Sequence, residues 1–573
     1  MSKSDVAMLE QSVARDAGSA HARTLLGDGY RAMNKFDRAI ASYDAAIALQ
    51  PDHAAAHVGR SAVLLKQKRY TESLAASLRA TSLDPESAQG WAGLGRVLGK
   101  LGQHGAAASA YRKTITIDPD LPFIKSRLLQ QKMLGCDWAG VDGLIADIDA
   151  DLDAGKPSAR PFIWQAVAMS PQSLQRCAEI YSGAESTAAV TPRPPRKAGA
   201  RIRIGYLSGE FRDHSISYLR AGMFEAHDRS RFDVVAFDNG WDDGGVTRGR
   251  INRAMDRIID ISAMSDAEAA TAIADEEIDI LIDLNGFNGL NRLGVLAMLP
   301  APVQATLPGY PGTLGTGFID YILSDATVLP PEHMPFYAEK AVHLPHSYQP
   351  NDRGKAISVR RFTRAEVGLP EHGFVFCCFN ANYKILPPMF DVWMRILQAV
   401  EGSMLWLLAD NAEATANLCR EAAARGIDPA RLVFAPRATL ADHLARHACA
   451  DLFLDTLPCN AHATASDALW AGLPLLTCIG ETFSGRVAAS LLKAIDMPEL
   501  IAPTMAEYEA AAIRLGTAPA ALAQLKAKLA DNRLKTPLFD TALYTRHLEA
   551  AYMAMHERHL ARLSPAPITI DAD

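Results

Sequence analysis

The sequence predicts a multidomain protein of mixed class, in which an α-helical repeat array is followed by two α/β lobes with parallel sheets. A proline that recurs every 34 residues near the N-terminus predicts the array. Short β-rich runs that alternate with amphipathic helices after residue 200 predict the lobes. With 573 residues, the chain is also too long for one hydrophobic core.

The N-terminal repeats have the period of the tetratricopeptide repeat, a pair of packed helices. Pro51, Pro85 and Pro119 lie 34 residues apart. The offsets at which paired helices touch carry the small residues Gly27, Ser61, Gly95, Ala39, Ser73 and Ala107, and other offsets carry the large residues Tyr43, Trp91 and Tyr111. Ser77 stands where an aromatic residue is usual. We predict that residues 1–120 form three such repeats, stacked as an α-solenoid whose concave surface binds proteins or extended peptides.

Residues 121–198 keep a helical pattern but lose the 34-residue period. Irregular repeats that lead into another domain commonly lose the period in this way. A proline-rich segment at 191–197 ends the helical part. We therefore predict degenerate helical repeats followed by a linker.

Two groups of predicted strands define the lobes. The predicted strands are 202–207, 233–238, 279–284, 303–307 and 321–323 in the first lobe, and 374–379, 404–408, 432–434, 452–454 and 475–478 in the second. An irregular polar stretch at 347–358 separates the two groups. The predicted boundaries are a first lobe at 199–346, a connector at 347–368, a second lobe at 369–535, and a C-terminal helix and tail at 536–573.

Polar or glycine-rich segments follow several of the predicted strands. These segments are 208–214, 308–313, 380–384, 459–467 and 480–486. Ligands of open parallel sheets bind beyond the carboxyl ends of the strands. The sequence therefore predicts a ligand cleft between the lobes.

The segment 459–467 is typical of a phosphate-binding helix start. Small and hydroxyl residues open a predicted helix, so free N–H groups and the positive end of the helix dipole would face a ligand. His462 is suited to donate to a phosphate oxygen, Asp467 to accept from ribose hydroxyls, and Lys384 to balance phosphate charge. The alternative is ordinary helix capping by Thr464.

Composition excludes several classes of function. The net charge of −7, without clustered Lys or Arg outside 193–197, disfavours nucleic acid as a partner. Residues 1–11 are polar, and no window holds the roughly 20 apolar residues of a membrane span, so we expect a cytoplasmic protein without a membrane partner. The eight cysteines lack CxxC spacing, and Gly205 and Gly209 lack the third glycine of a GxGxxG motif. A zinc site, a disulfide framework and a dinucleotide cofactor are therefore disfavoured.

Motifs along nearly the whole chain resemble those of the O-linked N-acetylglucosaminyltransferases, which use UDP-GlcNAc to glycosylate Ser and Thr of intracellular proteins. Besides the repeats, the matching segments are 136–138, 203–206, 285–286, 309–313, 383–384, 454–456, 471–472, 480–482, 486–490, 537–539 and Tyr544. The resemblance implies a GT-B architecture of two Rossmann-like lobes, a metal-independent inverting reaction without a cofactor, and repeats that present acceptor proteins. The short connector resembles that of bacterial members.

The resemblance also implies roles for individual residues. Lys384 matches the lysine at the donor diphosphate, and His214 matches the histidine that faces sugar and acceptor, so both are predicted catalytic residues. The predicted nucleotide-sugar site comprises Lys384 together with Gly312, Thr313, Tyr383, Ala438, His443, Arg446, Cys459, His462, Ala463, Thr464 and Asp467. Within it, His443 matches the residue that packs on uracil, Ala438 and Arg446 match positions whose backbone reads the base edge, and Asp467 matches the ribose acid.

Two alternatives to this function stay open. A protein N-glucosyltransferase using UDP-glucose has a related two-lobed fold. A repeat scaffold that binds UDP without catalysis is compatible with Ala381, Leu440 and Ala463, at which the chain departs from the family pattern. His214 is either the general base or a hydrogen-bonding residue for the sugar.

Overall fold

The computed structural model describes residues 3–183 and 200–572, and it divides into two compact units. The first unit is Met1–Asp151 with Lys156–Ala159, and the second is Leu152–Gly155 with Arg160–Asp573. The helical segment after residue 121 is thus shared between the units. The proline-rich linker predicted at 191–197 lies outside the described residues.

The first unit consists of helices packed in sequence. They are α1 (Lys3–Arg15), α2 (Ala20–Ala32), α3 (Phe36–Leu49), α4 (Ala54–Lys66), α5 (Tyr70–Leu83), α6 (Ala88–Lys100), α7 (His104–Ile117), α8 (Ile124–Leu134) and α9 (Val141–Asp153). Helices α2 and α3, α4 and α5, and α6 and α7 form the pairs of three successive repeats. The predicted tetratricopeptide solenoid is confirmed.

The contact inside each helix pair explains the spacing of small and large residues. A Cβ atom added at Gly27 would lie 2.6 Å from Cε1 of Tyr43, and one added at Gly95 would lie 2.7 Å from Cε1 of Tyr111. In both pairs the aromatic ring fills the space that glycine leaves. The middle repeat has Ser61 and Ser77 at the equivalent positions, and their hydroxyl oxygens lie 2.6 Å apart. A buried hydrogen bond there replaces the glycine–tyrosine contact.

The second unit begins with two helices and continues into the first lobe. The helices are α10 (Pro161–Trp164) and α11 (Pro171–Ser182), and the lobe contains β1 (Ile202–Ser208), α12 (Ser215–Ala226), β2 (Phe232–Asp238), α13 (Val246–Ala254), β3 (Arg257–Asp260), α14 (Asp266–Asp275), β4 (Ile280–Asp283), α15 (Leu293–Leu296), β5 (Val303–Thr306), β6 (Tyr321–Ser324) and β7 (Lys340–His343). The strands are parallel in the order β7-β6-β5-β4-β1-β2-β3. Every residue of β2 is buried, as expected for a sheet covered on both faces.

The second lobe has the same design. Its elements are β8 (Val375–Cys378), α16 (Pro387–Ala399), β9 (Met404–Leu408), α17 (Ala412–Ala424), β10 (Leu432–Ala435), α18 (Leu440–Arg446), β11 (Leu452–Leu454), α19 (Ala463–Trp470), β12 (Leu475–Cys478), α20 (Val487–Ala494), β13 (Ile501–Ala502), α21 (Met505–Thr517) and α22 (Pro519–Asn532). The parallel order is β10-β9-β8-β11-β12-β13. The predicted pair of Rossmann-like lobes is confirmed.

The C-terminal segment returns to the first lobe. Helix α23 (Thr541–Leu560) buries Leu548, Tyr552 and Met555 in the core of that lobe. The Tyr552 hydroxyl lies 3.0 Å from the hydroxyl of Tyr206 on β1. Strand β14 (Ile568–Thr569) then pairs with β7 and extends the sheet. The tail is therefore part of the first lobe.

Each sheet has one point at which the order of strands reverses. In the first lobe β1 lies between β2 and β4, and in the second β8 lies between β9 and β11. Crevices for ligands form at the carboxyl ends of strands at such points. Among the described residues, no helix combines the length and apolarity needed to cross a membrane.

Candidate active site

A cleft of about 340 Å³ opens where these two reversal points face each other. Its walls come from the segments after β1 and β5 in the first lobe and after β8 and β11 in the second. Seven of the predicted site residues line it: His214, Tyr383, Lys384, Cys459, His462, Ala463 and Thr464. The predicted cleft between the lobes is therefore present, although only part of the predicted residue set lines it.

Helix α19 presents its N-terminus to the cleft without a side-chain cap. No side chain accepts from its first-turn N–H groups at the N-cap residue His462. The Thr464 hydroxyl, the alternative cap, instead donates to Oδ1 of Asn380 across the cleft floor, at 2.5 Å. The first-turn N–H groups lack acceptors inside the helix. They form a positively polarised site for an anion.

Buried Asp455 fixes the backbone that leads into α19. Its carboxylate accepts from the backbone N–H groups of Thr456 at 2.7 Å and Ala461 at 2.6 Å, and from the hydroxyl of Thr477 at 2.7 Å. Burial raises the pKa of Asp455 to about 6, although these hydrogen bonds oppose the rise. The carboxylate of Asp455 therefore fixes the conformation of the loop that precedes α19.

Lys384 lies in a short helical turn after β8, with its ammonium group buried beside α19. Nζ donates to the backbone oxygen of Asn460 at 2.5 Å. Burial opposes the charged form, but the neighbouring Cys459, Tyr383 and Asp455 leave the pKa of Lys384 raised overall. Within the described ranges, no carboxylate forms an ion pair with this ammonium. Its charge is available to a ligand.

His214 faces the cleft from the first lobe, as the N-cap of α12. Its Nδ1 accepts the backbone N–H of Ile216 at 3.3 Å. Burial, assisted by the charges of Arg212 and Arg220, lowers the pKa of His214 to about 4. The ring is therefore neutral near pH 7, and because Nδ1 accepts, the proton lies on Nε2. In this arrangement Nε2 is able to donate a hydrogen bond to a ligand.

A second group of predicted residues lies together beside the cleft, at the end of β10. The His443 ring packs 5.1 Å from Phe379 and 4.8 Å from His447, measured between centroids. Arg446 donates from Nη2 to Nδ1 of His443 at 2.6 Å and from Nη1 to the Pro436 oxygen at 2.5 Å. Burial is the main cause that lowers the pKa of His443, to about 2. A neutral, orientated imidazole results, suited to packing on a flat base.

Of the four remaining predicted residues, Asp467 and Thr313 have partners of their own. Asp467 accepts at Oδ1 from Nζ of Lys355 in the connector, at 2.7 Å. Thr313 is buried and donates to Oε2 of Glu339 at 2.7 Å. In the segment 308–313, Gly309 and Pro311 line the cleft, whereas Gly312 and Thr313 do not. Ala438 lies in the loop between β10 and α18.

Four further polar residues of the cleft lie outside the predicted site set. They are Gln165 from the helical segment before β1, Arg220 on α12, Gln349 in the connector and Asn380 after β8. Asn380 also donates to the Thr456 hydroxyl at 2.8 Å, which joins β8 to the loop before α19. Asn380 and Gln349 lie within the polar segments 380–384 and 347–358, whereas no sequence signal marks Gln165 or Arg220. Among the residues that the structure describes, no three His, Cys, Asp or Glu side chains are grouped to hold a metal ion.

Comparison with known proteins agrees with this fold and cleft. The sequence profile of glycosyl transferase family 41 matches residues 168–358 and 352–548, and tetratricopeptide repeat profiles match 24–87 and 88–121. The chain is similar to the Thermobaculum terrenum O-GlcNAc transferase, solved as a mutant, with a TM-score of 0.72 and 26% identity over 96% of this chain and 99% of that one.

Curated relatives match about two thirds of this chain. A protein of Arabidopsis thaliana named "Probable UDP-N-acetylglucosamine--peptide N-acetylglucosaminyltransferase SEC" is 37% identical over 65% of this chain. The UDP-N-acetylglucosamine–peptide N-acetylglucosaminyltransferase of Caenorhabditis elegans is 29% identical over 63% of this chain. The matches cover only 39% and 41% of those two relatives. Because the family profile spans both lobes and the cleft between them, this chain belongs to glycosyl transferase family 41.

Proposed function

We propose that the chain transfers N-acetylglucosamine from UDP-GlcNAc to Ser or Thr hydroxyls of proteins, with inversion at the anomeric carbon. The observation that carries the proposal is the uncapped start of α19 beside the unpaired ammonium of Lys384. A helix start and a lysine at one reversal point of a parallel sheet are suited to a diphosphate. Across the cleft, His214 provides a donor for the sugar or the acceptor.

The donor would lie along the edge of the second lobe. Uracil would pack on His443, the ribose hydroxyls would donate to the Asp467 carboxylate, and the diphosphate would accept from the α19 N–H groups and Lys384. The neutral state of His443 supports this assignment, because a neutral imidazole stacks on a flat base without the cost of desolvating a charge. The salt bridge from Lys355 to Asp467 leaves Oδ2 of that carboxylate for a ribose hydroxyl.

The reaction exchanges one bond at the anomeric carbon for another. The acceptor oxygen attacks C1 from the face opposite UDP, the bond between C1 and the β-phosphate oxygen breaks, and UDP leaves with the electron pair. Lys384 and the α19 N–H groups would stabilise the growing negative charge, and preorganised donors of this kind often supply the largest catalytic contribution. We propose that these groups take the place of a divalent metal.

His214 would act in this reaction as a hydrogen-bond donor, not as the general base. Its Nδ1 is occupied by the Ile216 N–H, and a neutral ring with its proton on Nε2 cannot accept a second proton at that atom. A hydroxyl that attacks an oxocarbenium-like centre loses its proton late, to water or to a leaving-group oxygen. His214 would therefore position the sugar or the acceptor.

The repeats would supply the acceptor. Tetratricopeptide arrays hold extended polypeptide on their concave surface. We propose that this array binds acceptor proteins and that the chain works in the cytoplasm, where such acceptors and UDP-sugars meet.

The test is a mass spectrum of host-cell protein incubated with the purified chain and UDP-GlcNAc. The expected result is the gain of one N-acetylhexosamine on Ser or Thr. Parallel incubation with UDP-glucose tests the glucosyltransferase, which would add a hexose to Asn. Binding of UDP without transfer from either donor would contradict the enzyme and favour the scaffold.

A further inference from the structure

Arg220 is a buried arginine in the wall of the cleft opposite Lys384. It lies on α12, about one and two-thirds turns after His214, and only 4% of its surface is exposed. Its Nη2 donates to the backbone oxygens of Leu307 at 3.1 Å and Pro308 at 3.2 Å. The guanidinium is thus anchored at the end of β5, where the cleft-lining segment begins.

The rest of this guanidinium has no partner. Within residues 3–183 and 200–572, Nε and Nη1 are buried without a hydrogen-bond acceptor, and no carboxylate lies within 4.0 Å of the group. Other arginines of the same lobe are paired, Arg203 with Asp233 at 2.8 Å and Arg250 with Glu225 at 2.7 Å. Burial accordingly lowers the pKa of Arg220.

An unpaired buried guanidinium is unfavourable unless an anion binds to its free N–H groups. Three of its five N–H donors are free, since Nη2 uses both of its hydrogens on carbonyl oxygens. The buried carboxylate of Asp283 attracts this charge only from beyond contact distance. A buried charge without a contacting counter-charge destabilises the fold, and a methionine of similar length would fill the same space without that cost. Arg220 lines the cleft, so the missing anion can come from a bound substrate.

We propose that Arg220 binds a carboxylate of the acceptor, and that the cleft selects Ser or Thr hydroxyls beside an Asp or Glu. This inference rests on the proposed function. The diphosphate of the donor already meets Lys384 and α19 on the other wall, and N-acetylglucosamine is uncharged. The acceptor is the substrate that remains to provide the anion. Charge-assisted hydrogen bonds from guanidinium to carboxylate are strong and directional.

The test compares two peptides that differ only in Glu or Gln next to the acceptor Ser. The wild-type chain should use the Glu peptide with a kcat/KM higher by about 10-fold or more, the usual effect of a hydrogen bond to a charged group. In Arg220→Met the ratio between the two peptides should fall to about 1, because the anion loses its partner. Arg220→Lys keeps the charge and should retain part of the preference.

Each other outcome has a distinct meaning. An equal loss for both peptides in Arg220→Met would show that Arg220 only supports the backbone at Leu307 and Pro308, and would overturn the proposal. Weaker binding of UDP alone, measured by calorimetry, would make Arg220 a diphosphate ligand instead. Tighter binding of UDP-glucuronate than of UDP-glucose, lost in Arg220→Met, would assign the carboxylate to the donor.

Failure of the proposed function can be told apart from failure of this inference. If the wild-type chain transfers sugar to neither peptide and binds no UDP-sugar, the proposed function fails, and the acceptor preference fails with it. If it transfers sugar equally well to both peptides, only the assignment of Arg220 is wrong.

Discussion

The hydrogen bond and the burial of His214 indicate the charge of its ring and the nitrogen that carries the proton. Its Nδ1 serves α12 as a cap, and burial lowers its pKa to about 4. Below that pKa the ring gains a proton, so the neutral donor form is present throughout the range above it. The ordinary histidine pKa of about 6.5 is therefore not the value that governs this site.

We expect kcat/KM for transfer to stay level from pH 8 to pH 5 as far as His214 is concerned, and to fall only as the pH approaches 4. Since kcat/KM reports the free enzyme, initial rates across this range measure the free His214. The variant His214→Asn keeps a side chain that can cap α12 but cannot titrate. A wild-type midpoint near 6.5 that this variant removes would contradict the structure-based pKa.

Lys384 is expected to be the most damaging single position in the cleft. Lys384→Met removes the ammonium but keeps the length of the side chain, and kcat should fall by about 100- to 1,000-fold, as when one preorganised donor is lost. Steady-state transfer from UDP-GlcNAc measures this. Lys528→Met, which breaks an exposed pair with Glu499, is the matched control and should change little. Similar losses in both variants would argue against a role for Lys384 at the diphosphate.

Site residues at the carboxyl ends of strands could be predicted from the sequence. The residues that act through long-range contacts around them could not. Lys384 and His462 lie in the segments that follow two apolar runs, so chain order alone brings them to one sheet edge. Asp455 and Arg220 function through partners far away in sequence, such as Thr477 and Leu307. No periodicity marks such contacts. Thr313 shows the converse, because a residue in a matched motif turns away from the cleft to Glu339.

At the scale of elements, all ten strands predicted from the sequence are present. Strands β3, β7, β13 and β14 were missed, and each is short or partly polar, with exposed Arg257 and Asp260 in β3 and exposed Lys340 in β7. Strands of this kind lie toward the edges of their sheets, where burial on both faces is not required. Their hydrophobic signal is correspondingly weak.

The helix pairs depend on glycine at one position and tolerate a side chain at another in the same helix. In α6, a Cβ at Gly95 would lie 2.7 Å from Cε1 of the buried Tyr111, whereas the nearest atom to a Cβ at Gly93 is 3.9 Å away. Gly95→Ala should lower the free energy of unfolding of the array by about 1–3 kcal/mol through overpacking. Gly93→Ala should raise it by about 0.5–1 kcal/mol, because alanine is the better helix former.

Urea unfolding of the full chain, followed by circular dichroism, compares these two variants. They share the helix and the chemical change, and neither glycine lines the cleft, so donor binding should be the same in both. Equal stabilisation by the two alanines would show that the Tyr111 ring moves aside at no cost.

At the scale of the whole molecule, the cleft is built entirely by the second unit. Its lining begins at Phe162 and Gln165, after the boundary of the first unit, and the first lobe is completed by α23 from the C-terminus. The order of domains along the chain was predictable. The return of α23 was not, because an amphipathic helix does not reveal which of two similar sheets it covers.

This division predicts that donor chemistry and acceptor choice can be separated. A chain shortened to residues 152–573 keeps every residue that lines the cleft, so its affinity for UDP should stay within about 2-fold of the full chain, as expected where the removed residues share no partner with the site. Transfer to a short Ser peptide should persist as well. Transfer to whole proteins should fall by about 10-fold or more, because the repeats no longer raise the local concentration of the acceptor.

Calorimetry measures the affinity for UDP, and transfer assays measure the rates with the peptide and with whole proteins. Circular dichroism checks that the shortened chain is folded. An equal fall for peptide and protein would mean that the array supports the lobes and does not select acceptors.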